Sequence, residues 1–444
     1  MPASSVTCPF CGLLCDDLVV GLRDGRARVE AAGCARAVAL FPAPPQGQAR
    51  IDGSPATWAQ AARAAAALLA RARQPLIAGL GCDIAGQRAA VVLAERVDAA
   101  LDTMDSHAQL RNQAPFLDSG WMSTTLSELR NRADVVVFAG TLGAGQPRLV
   151  ERCLAPALPS PFGELHRRII AIGSALLRPA AWPAGADLAT TIDLPNPHLA
   201  EAFGLLRARL AGQRLDATAL HGVALERFDA VLETMQSARY GVLIWNAAEL
   251  DFPHADLAVR AMIGLVRDLT RERTTASHAP APAEAQAGKP PSTPTGTRWS
   301  VLPLGGSDGG TSAAQVCTWL AGYPPRLRFF NGMAQSDPLQ RGADALLAAG
   351  AADALLWISA FDPARTPPPA RCPRIVLGRA DLRLDPAPDV FIPVAVPGVQ
   401  APGMLSRMDQ VVTLPLMAPA PADLPTVAEV LARITLELGH AAAA

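Results

Sequence analysis

Short, continuous apolar runs recur along the chain and alternate with segments of helical periodicity. Because these runs contain few polar residues, they are typical of strands that helices cover on both faces of a sheet. The runs lie at residues 75–80, 133–140, 167–173, 240–246, 353–359, 374–378 and 389–396. Helical patterns occur between them, for example over 85–101 and 254–272. The repeated order of strand and helix predicts two Rossmann-like α/β units with mostly parallel sheets.

A segment rich in Pro, Ala, Ser and Thr interrupts this pattern at residues 274–298. It has almost no large apolar side chains, so it cannot bury enough surface to offset the entropy lost on ordering. We predict a flexible linker or surface insertion there. The other predicted parts are a small cysteine-containing N-terminal lobe, two α/β domains, and a C-terminal tail that is helical over 426–438. Their predicted bounds are 1–50, 51–273, 299–416 and 417–444.

Composition limits the partners that this chain can have. Half of the 444 residues are apolar, and 40 acidic residues nearly balance 39 basic ones. This balance gives no reason to expect a nucleic-acid or membrane-surface partner. No apolar run reaches the roughly 18 uncharged residues of a membrane span, and the opening residues lack the basic and apolar regions of a signal peptide. We therefore expect a cytoplasmic protein.

Four cysteines lie close together near the start of the chain. Cys8, Cys11 and Cys15 fall in "TCPFCGLLCDDL", and Cys34 follows in "EAAGCARAV". Thiolates at such spacings can surround one compact metal centre. Zinc would form a structural site, whereas a [4Fe–4S] cluster could also transfer electrons; chance clustering without a metal is the third interpretation. The remaining cysteines are expected to be small buried apolar side chains, at positions 82, 153, 317 and 372.

Other ligand-binding motifs are less specific. Seven histidines occur, but no two have the HxH or HxxxH spacing, so a histidine-based metal site is not predicted. Gly-rich segments at 79–86, 140–148 and 304–316 could approach a phosphate or cofactor, or could form plain tight turns before helices. The dinucleotide GxGxxG pattern and the P-loop pattern are both absent.

Four segments together carry a family resemblance. They are "CPFCGLLCDDL" (8–18), "TLSELRNRADVVVFAGTLGAGQPRLVERCL" (125–154), "CTWLAGYPPRLRFFNGMAQSDP" (317–338) and "DVFIPVAVPGVQAPGMLSRMDQVVTLPL" (389–416). They resemble the family formed by the B subunits of formylmethanofuran dehydrogenase, which belongs to the molybdopterin oxidoreductases. The resemblance covers essentially the whole chain. It implies that the four N-terminal cysteines hold a [4Fe–4S] cluster beside a molybdenum or tungsten pterin that interconverts carbon dioxide and formate.

The sequence departs from the family at the implied pterin site. Ser106 stands where the family has the cysteine that ligates the metal, His107 is retained, and Gln335 stands where the family has an arginine. A serine oxygen is still a plausible ligand for molybdenum. A neutral amide, however, lacks the charged fork of an arginine. We therefore expect a non-redox subunit without a molybdopterin or tungstopterin; the alternative is an active molybdenum- or tungsten-dependent dehydrogenase subunit.

Relatives of this type in aerobic methylotrophic bacteria belong to the formyltransferase/hydrolase complex. That complex releases formate from formyl-tetrahydromethanopterin, with its hydrolase and transferase sites on the sister A and D subunits. The resemblance thus implies a scaffold role in one-carbon metabolism, with the A, C and D subunits as partners. A freestanding iron–sulfur electron carrier would not need a chain of 444 residues.

Overall fold

The computed structural model describes residues 4–141, 145–154, 160–163, 165–174, 187–277 and 297–443. The helices found there are α1 (Ala35–Leu40), α2 (Trp58–Arg71), α3 (Ile84–Arg96), α4 (Ser106–Ser119), α5 (Leu126–Arg132), α6 (Leu149–Cys153), α7 (Leu199–Leu210), α8 (Leu225–Gln236), α9 (Ala255–Ser277), α10 (Gly310–Ala321), α11 (Ala343–Ala348) and α12 (Val427–Ala443). Single 3-10 turns occupy Asn196–His198, Ala247–Glu249 and Ser307–Gly309.

The strands in the same described ranges are β1 (Ser4–Val6), β2 (Leu18–Arg23), β3 (Arg26–Ala31), β4 (Ala49–Ile51), β5 (Ser54–Ala56), β6 (Pro75–Gly81), β7 (Ala100–Leu101), β8 (Val135–Ala139), β9 (Arg168–Ile172), β10 (Asp187–Ile192), β11 (Ala219–Leu220), β12 (Val223–Ala224), β13 (Tyr240–Asn246), β14 (Arg298–Leu304), β15 (Leu327–Phe330), β16 (Met333–Ser336), β17 (Ala354–Ser359), β18 (Arg374–Gly378), β19 (Val390–Pro393), β20 (Gly403–Ser406) and β21 (Thr413–Leu416). Every apolar run singled out in the sequence contains one of them: β6, β8, β9, β13, β17, β18 and β19. Nearly all residues of these seven strands are buried, which explains their continuous hydrophobicity.

One compact unit combines Met1–His107 with Gly305–Ala444. Its nine-stranded sheet has the order β16-β15-β7-β6-β17-β18-β19-β4-β5. The five central strands, from β7 to β19, are parallel, and antiparallel pairs close both edges. Helices α2, α3 and α12 bury their apolar faces in one core with this sheet. The C-terminal helix, predicted as part of a tail, is therefore a core element of this unit.

The second unit spans Ala108–Leu304. Its five strands are all parallel, in the order β10-β9-β8-β13-β14. In chain order this is 3-2-1-4-5, and the direction of winding reverses between β8 and β13, as in doubly wound folds. Helices α7, α8 and α9 pack on the sheet around Phe203, Phe228 and Trp245. The predicted α/β class with mostly parallel sheets is confirmed.

The division into units differs from the predicted boundaries at 51–273 and 299–416. Strand β6 pairs with β17, and β7 pairs with β15, so residues 75–101 share a sheet with strands far along the chain. Helix α3 also ends at Arg96, short of the predicted 101, because residues 100–101 form β7. Most of the predicted linker 274–298 lies outside the described residues. Among the described residues, no helix combines the length and apolarity needed to cross a bilayer.

Candidate functional site

The loop from Cys8 to Cys15, called the cysteine loop here, follows strand β1. Hydrogen bonds between its own backbone groups close it. The backbone N–H of Cys8 donates to the carbonyl of Cys15 at 2.8 Å, and the N–H of Leu14 donates to the carbonyl of Cys11 at 3.1 Å. Leu14 has a left-handed backbone, with φ of 45°, which tightens the loop. The three cysteines of the loop are each about 5–6 % exposed. The short spacing of these residues thus forms a compact turn that holds three buried thiols.

Cys34 joins the loop from a different element. It is the N-cap of α1, and its sulfur accepts a hydrogen bond from the N–H of Ala37 at 3.5 Å. Proximity to Cys11, Cys15 and Cys34 contributes to the raised pKa of Cys8, after the larger effect of burial. The structure therefore brings together the four cysteines that the sequence grouped.

The cysteine loop packs against the Gly-rich segment 304–316 and against the hairpin formed by β20 and β21. A Cβ at Gly12 would lie 2.1 Å from the carbonyl oxygen of Gly305 and 2.8 Å from the Cβ of Met408. The N–H of Met408 donates to the carbonyl of Gly12 at 2.9 Å. Only glycine fits at this close backbone approach. This part of the Gly-rich segment packs against the cysteine loop.

The cysteine loop offers thiol ligands that either zinc or an iron–sulfur cluster could bind. Burial raises the pKa of Cys8 and Cys11, so metal binding must displace thiol protons. Zinc–sulfur bonds of about 2.3 Å would place the sulfurs of a tetrahedral site about 3.8 Å apart. In the described part of the chain, no three of the cysteine sulfurs lie within 4.8 Å of one another, so the sulfurs would have to move closer to hold zinc. Four thiolates are also the ligand set of a four-iron cluster.

Partly buried charges lie near Cys11 of the cysteine loop. Arg36 favours the thiolate of Cys11, although the effect of burial on that pKa is larger. Arg36 lies 3.6 Å from the carboxylates of both Asp308 and Asp362, and Arg365 donates to Asp308 at 3.0 Å. Burial raises the pKa of Asp308, and the two guanidinium groups oppose that effect. Arg36 therefore offsets part of the negative charge of a Cys11 thiolate, whereas the nearby carboxylate of Asp308 opposes it.

Ser106 lies in a different polar cluster of the same unit. Its hydroxyl donates to Asp102 Oδ2 at 2.9 Å and accepts from Arg326 Nε at 3.0 Å. Arg326 also donates to the carbonyl of Pro338 at 2.9 Å and to both carboxylate oxygens of Asp344 at 3.2 Å. Ser106 is 6 % exposed. Its hydroxyl is thus buried, with both a donor and an acceptor engaged within the protein.

Asp102 is the anionic centre of this cluster. It accepts the N–H of Thr103 at 2.8 Å and that of Ala343 at 2.7 Å, in addition to the Ser106 hydroxyl. Burial raises the pKa of Asp102 to about 6, against the opposing effects of these hydrogen bonds and of Arg326. The carboxyl group therefore changes its charge in a mildly acidic range.

The other two residues of the implied pterin site, His107 and Gln335, lie outside the buried cluster around Ser106. His107 is largely exposed, and its Nδ1 lies 3.5 Å from Asp344 Oδ2. Gln335 is exposed on β16, where its side-chain oxygen accepts from Arg341 at 3.0 Å and its carbonyl accepts from the same guanidinium at 2.8 Å. A cation therefore remains close to Gln335, although it comes from another position in the chain.

The remaining Gly-rich segments behave as turns where they are described. Asp83 caps α3 by accepting from the N–H groups of Ala85 and Gly86, so its carboxylate occupies the place that a phosphate would take. The segment 140–148 follows β8 at the point where the winding of the second unit reverses, but residues 142–144 lie outside the described residues. Neither segment shows a built phosphate site in the described residues.

Sequence reasoning missed one cluster. His198, Glu201 and His221 come together in the second unit, with ligand atoms within 4.8 Å of one another. The two histidines are far apart in sequence, so the test for HxH and HxxxH spacings could not find them. The available signal was a histidine three residues before a glutamate at a helix start, together with a second histidine followed by a glycine that could form a turn.

Comparisons with known proteins agree with this architecture. No family model matches the chain. The B subunit of the formyltransferase/hydrolase complex Fhc of Methylorubrum extorquens is 28 % identical over 394 residues, covering 86 % of this chain and 96 % of that protein. The B subunit of tungsten-containing formylmethanofuran dehydrogenase 2 of Methanocaldococcus jannaschii is 26 % identical over 431 residues, covering 92 % of this chain and 91 % of that protein.

A solved structure matches as well. One chain of the crystal structure of the formyltransferase/hydrolase complex FhcABCD from Methylorubrum extorquens, in complex with methylofuran, superposes with a TM-score of 0.71 at 26 % identity. The match covers 89 % of this chain and 100 % of that chain. The resemblance predicted from the sequence motifs is therefore confirmed, and the chain is similar over most of its length to the B subunits of these two systems.

Proposed function

We propose that this chain is the B subunit of a formyltransferase/hydrolase complex, acting in one-carbon metabolism as a non-redox scaffold. The observation that carries the non-redox part is the hydrogen bonding of Ser106. To ligate a metal, the hydroxyl would have to lose the proton that it donates to Asp102, and its oxygen would have to bind the metal beside the N–H of Arg326. The cluster would then hold a buried carboxylate with one bond fewer, at a cost of about 1–3 kcal/mol.

The surface of the first unit supports a role within a complex. Large apolar side chains are exposed between residues 319 and 339, at the end of α10 and on the hairpin formed by β15 and β16. They are Trp319, Leu320, Tyr323, Phe330, Met333 and Leu339. Strand β16 is also an edge of the nine-stranded sheet, with backbone groups available for pairing. Such a surface is typical of protein contacts, and we propose the sister A, C and D subunits as the partners.

The four cysteines are proposed to hold a [4Fe–4S] cluster, with zinc as the second choice. The burial of the thiols and the charge of Arg36 support a metal–thiolate site, and the resemblance to the dehydrogenase B subunits favours the iron–sulfur cluster over zinc. In a subunit without redox chemistry, such a cluster would stabilise the N-terminal lobe, because the binding free energy adds to the stability of the fold. We also propose that the protein acts in the cytoplasm.

The second candidate function is that of an active molybdenum- or tungsten-dependent dehydrogenase subunit. It is favoured by the retained His107, by the cation of Arg341 beside Gln335, and by the similarity to the B subunits of tungsten-containing enzymes. The buried hydroxyl of Ser106 is the observation against it. The oxygen that would ligate the metal in place of the cysteine sulfur is already hydrogen-bonded to Asp102 and Arg326.

Metal analysis of the complex purified without oxygen separates the two functions. The chain should be expressed alone and together with the A, C and D subunits, and the complex assayed for formate release from formyl-tetrahydromethanopterin. We expect aggregation of the chain alone, recovery in the complex, about four iron atoms per chain, and no molybdenum or tungsten. One molybdenum or tungsten per chain would overturn the non-redox role, and a well-behaved monomer with formate-linked activity would overturn the scaffold role.

A further inference from the structure

Two histidines and a glutamate meet on the surface of the second unit. The ligand atoms of His198, Glu201 and His221 lie within 4.8 Å of one another. Among the described residues, no other group of three His, Cys, Asp or Glu side chains comes so close together. We propose that these three residues form a binding site for a divalent transition-metal cation of the zinc type. Imidazole nitrogens with one carboxylate oxygen are a ligand set that zinc accepts.

Local structure places two of the ligands on one helix start. His198 immediately precedes α7, and Glu201 lies three residues further, in the first turn. Residues three apart at a helix start lie on the same face. His198 Nδ1 is 3.5 Å from Glu201 Oε1 as a result. This pair is preformed by the helix and needs no distant contact to hold it.

The third ligand comes from a hairpin turn. His221 and Gly222 link the two-residue strands β11 and β12, and both have left-handed backbones, with φ of 46° and 80°. Turns of this kind favour Asn followed by Gly, because both central residues need positive φ. Histidine, like asparagine, adopts the left-handed region more often than most residues do. The turn therefore accommodates His221 and presents its imidazole beside the start of α7.

The side chains converge on the carboxylate of Glu201. Its Oε2 is hydrogen-bonded to Nε2 of His221 while its Oε1 faces His198, and the two imidazole rings stack with centroids 3.6 Å apart. Zinc bonds of about 2.0–2.1 Å would place tetrahedral ligand atoms about 3.3 Å apart. Imidazole lone pairs lie in the planes of their rings, so the two stacked rings must tilt apart for both nitrogens to face a cation held by Glu201.

Exposure of the site allows direct loading. The side chains of His198 and His221 are 34 % and 31 % exposed, and that of Glu201 is 54 % exposed. Three protein ligands leave a fourth position for water or for a further ligand. A bound cation would also join α7 to the hairpin at 219–224. The inference does not depend on the proposed function, because it concerns residues that the proposal does not use.

Zinc titration of the full-length protein tests the site. Binding of Zn²⁺ should be measured by calorimetry for the wild type and for His221→Asn and Glu201→Gln, with His166→Ala as the control. Asparagine suits the left-handed turn, so His221→Asn removes one ligand while keeping the hairpin. His166 is an exposed histidine of the same unit. The cysteine loop is intact in every variant, so its own zinc binding cancels in the comparison.

We expect both ligand variants to lose one class of Zn²⁺ binding, or to weaken it by more than the roughly 10- to 100-fold that loss of an outer-shell partner causes. The control should bind as the wild type does. Amide hydrogen exchange at 219–224 should slow on zinc addition in the wild type and the control, but not in the ligand variants. Equal zinc binding by all four proteins, or no zinc-dependent change at the hairpin, would overturn the proposal and leave Glu201 as an ion-pair partner of the two histidines.

Discussion

The cysteine loop and the cluster around Ser106 lie in the same unit but differ in how their shapes are fixed. Backbone hydrogen bonds close the cysteine loop, between Cys8 and Cys15 and between Cys11 and Leu14. In the other cluster, the side chains bond to one another, and the hydroxyl of Ser106 links a carboxylate to a guanidinium. A loop shaped by its backbone can keep its side chains available as ligands. A cluster whose side chains satisfy one another has no ligand left to offer.

Among the substitutions that test this comparison, one in the cysteine loop should have the largest effect. Replacing Cys11 by serine should abolish cluster binding, because a neutral hydroxyl is a poor ligand for iron or zinc compared with a thiolate. Protein purified without oxygen should lose its broad visible absorption, and residues 1–50 should become sensitive to protease. Cys372→Ser is the matched control, since Cys372 is a half-buried cysteine outside the loop.

The wild type sets the condition for that experiment. If the anaerobic wild-type protein is colourless and contains neither iron nor zinc, the four cysteines do not form a metal site. The Cys11→Ser variant would then show no change in protease sensitivity relative to Cys372→Ser.

The second effect is a pH dependence that originates in Asp102. Its pKa is about 6 in the folded protein and about 4 in the unfolded chain, so the folded state binds more protons between these values. The contribution of Asp102 to the free energy of unfolding should therefore fall as pH rises through this window, by about 3 kcal/mol for a shift of this size. Urea unfolding of the full chain at pH 4 to 7 measures the slope.

Asp102→Asn should remove this contribution from the wild-type slope, because the amide does not ionise. Asp52→Asn replaces an exposed carboxylate in a turn and should keep the wild-type slope. An unchanged slope in Asp102→Asn would mean that the carboxyl of Asp102 keeps the same pKa in the folded and unfolded states.

A smaller effect concerns the support of the cysteine loop. Gly12→Ala places a methyl group 2.1 Å from the carbonyl oxygen of Gly305, so backbone must shift. Overpacking of this kind costs about 1–3 kcal/mol. We expect a lower thermal midpoint and faster proteolysis of residues 1–50. Gly439→Ala, in α12, meets nothing within 4 Å and should not lower the midpoint; equal midpoints for both variants would contradict the close approach at Gly12.

The sequence predicted the strands and the cysteine group well, because both signals are local. Continuous apolar runs marked β6, β8 and β13, and close spacing marked the loop from Cys8 to Cys15. The units were harder to predict, since the pairing of β6 with β17 joins residues about 280 apart in sequence, which no local pattern encodes. The network of Ser106, Asp102 and Arg326 was missed for the same reason, although Ser106 itself was singled out.

The smallest expected effect comes from restoring the cysteine and the arginine that the dehydrogenase family has at positions 106 and 335. In the variant that combines Ser106→Cys with Gln335→Arg, the new thiol would take the buried place between Asp102 and Arg326. The new guanidinium would lie beside that of Arg341, which now donates to Gln335. Neither change opens a ligand position, so we expect no molybdenum or tungsten above the wild-type background and no formate-linked redox activity.

Metal analysis of the double variant should be made on the complex, expressed with molybdate or tungstate in the medium. Gln335→Arg alone is the control, because it adds the charge without the thiol. One molybdenum or tungsten per chain in the double variant, and none in the control, would show that only two side chains separate this pocket from a pterin site. That result would also mean that a side chain at position 106 can leave its place between Asp102 and Arg326 to ligate a metal, which would remove the difference between the two regions.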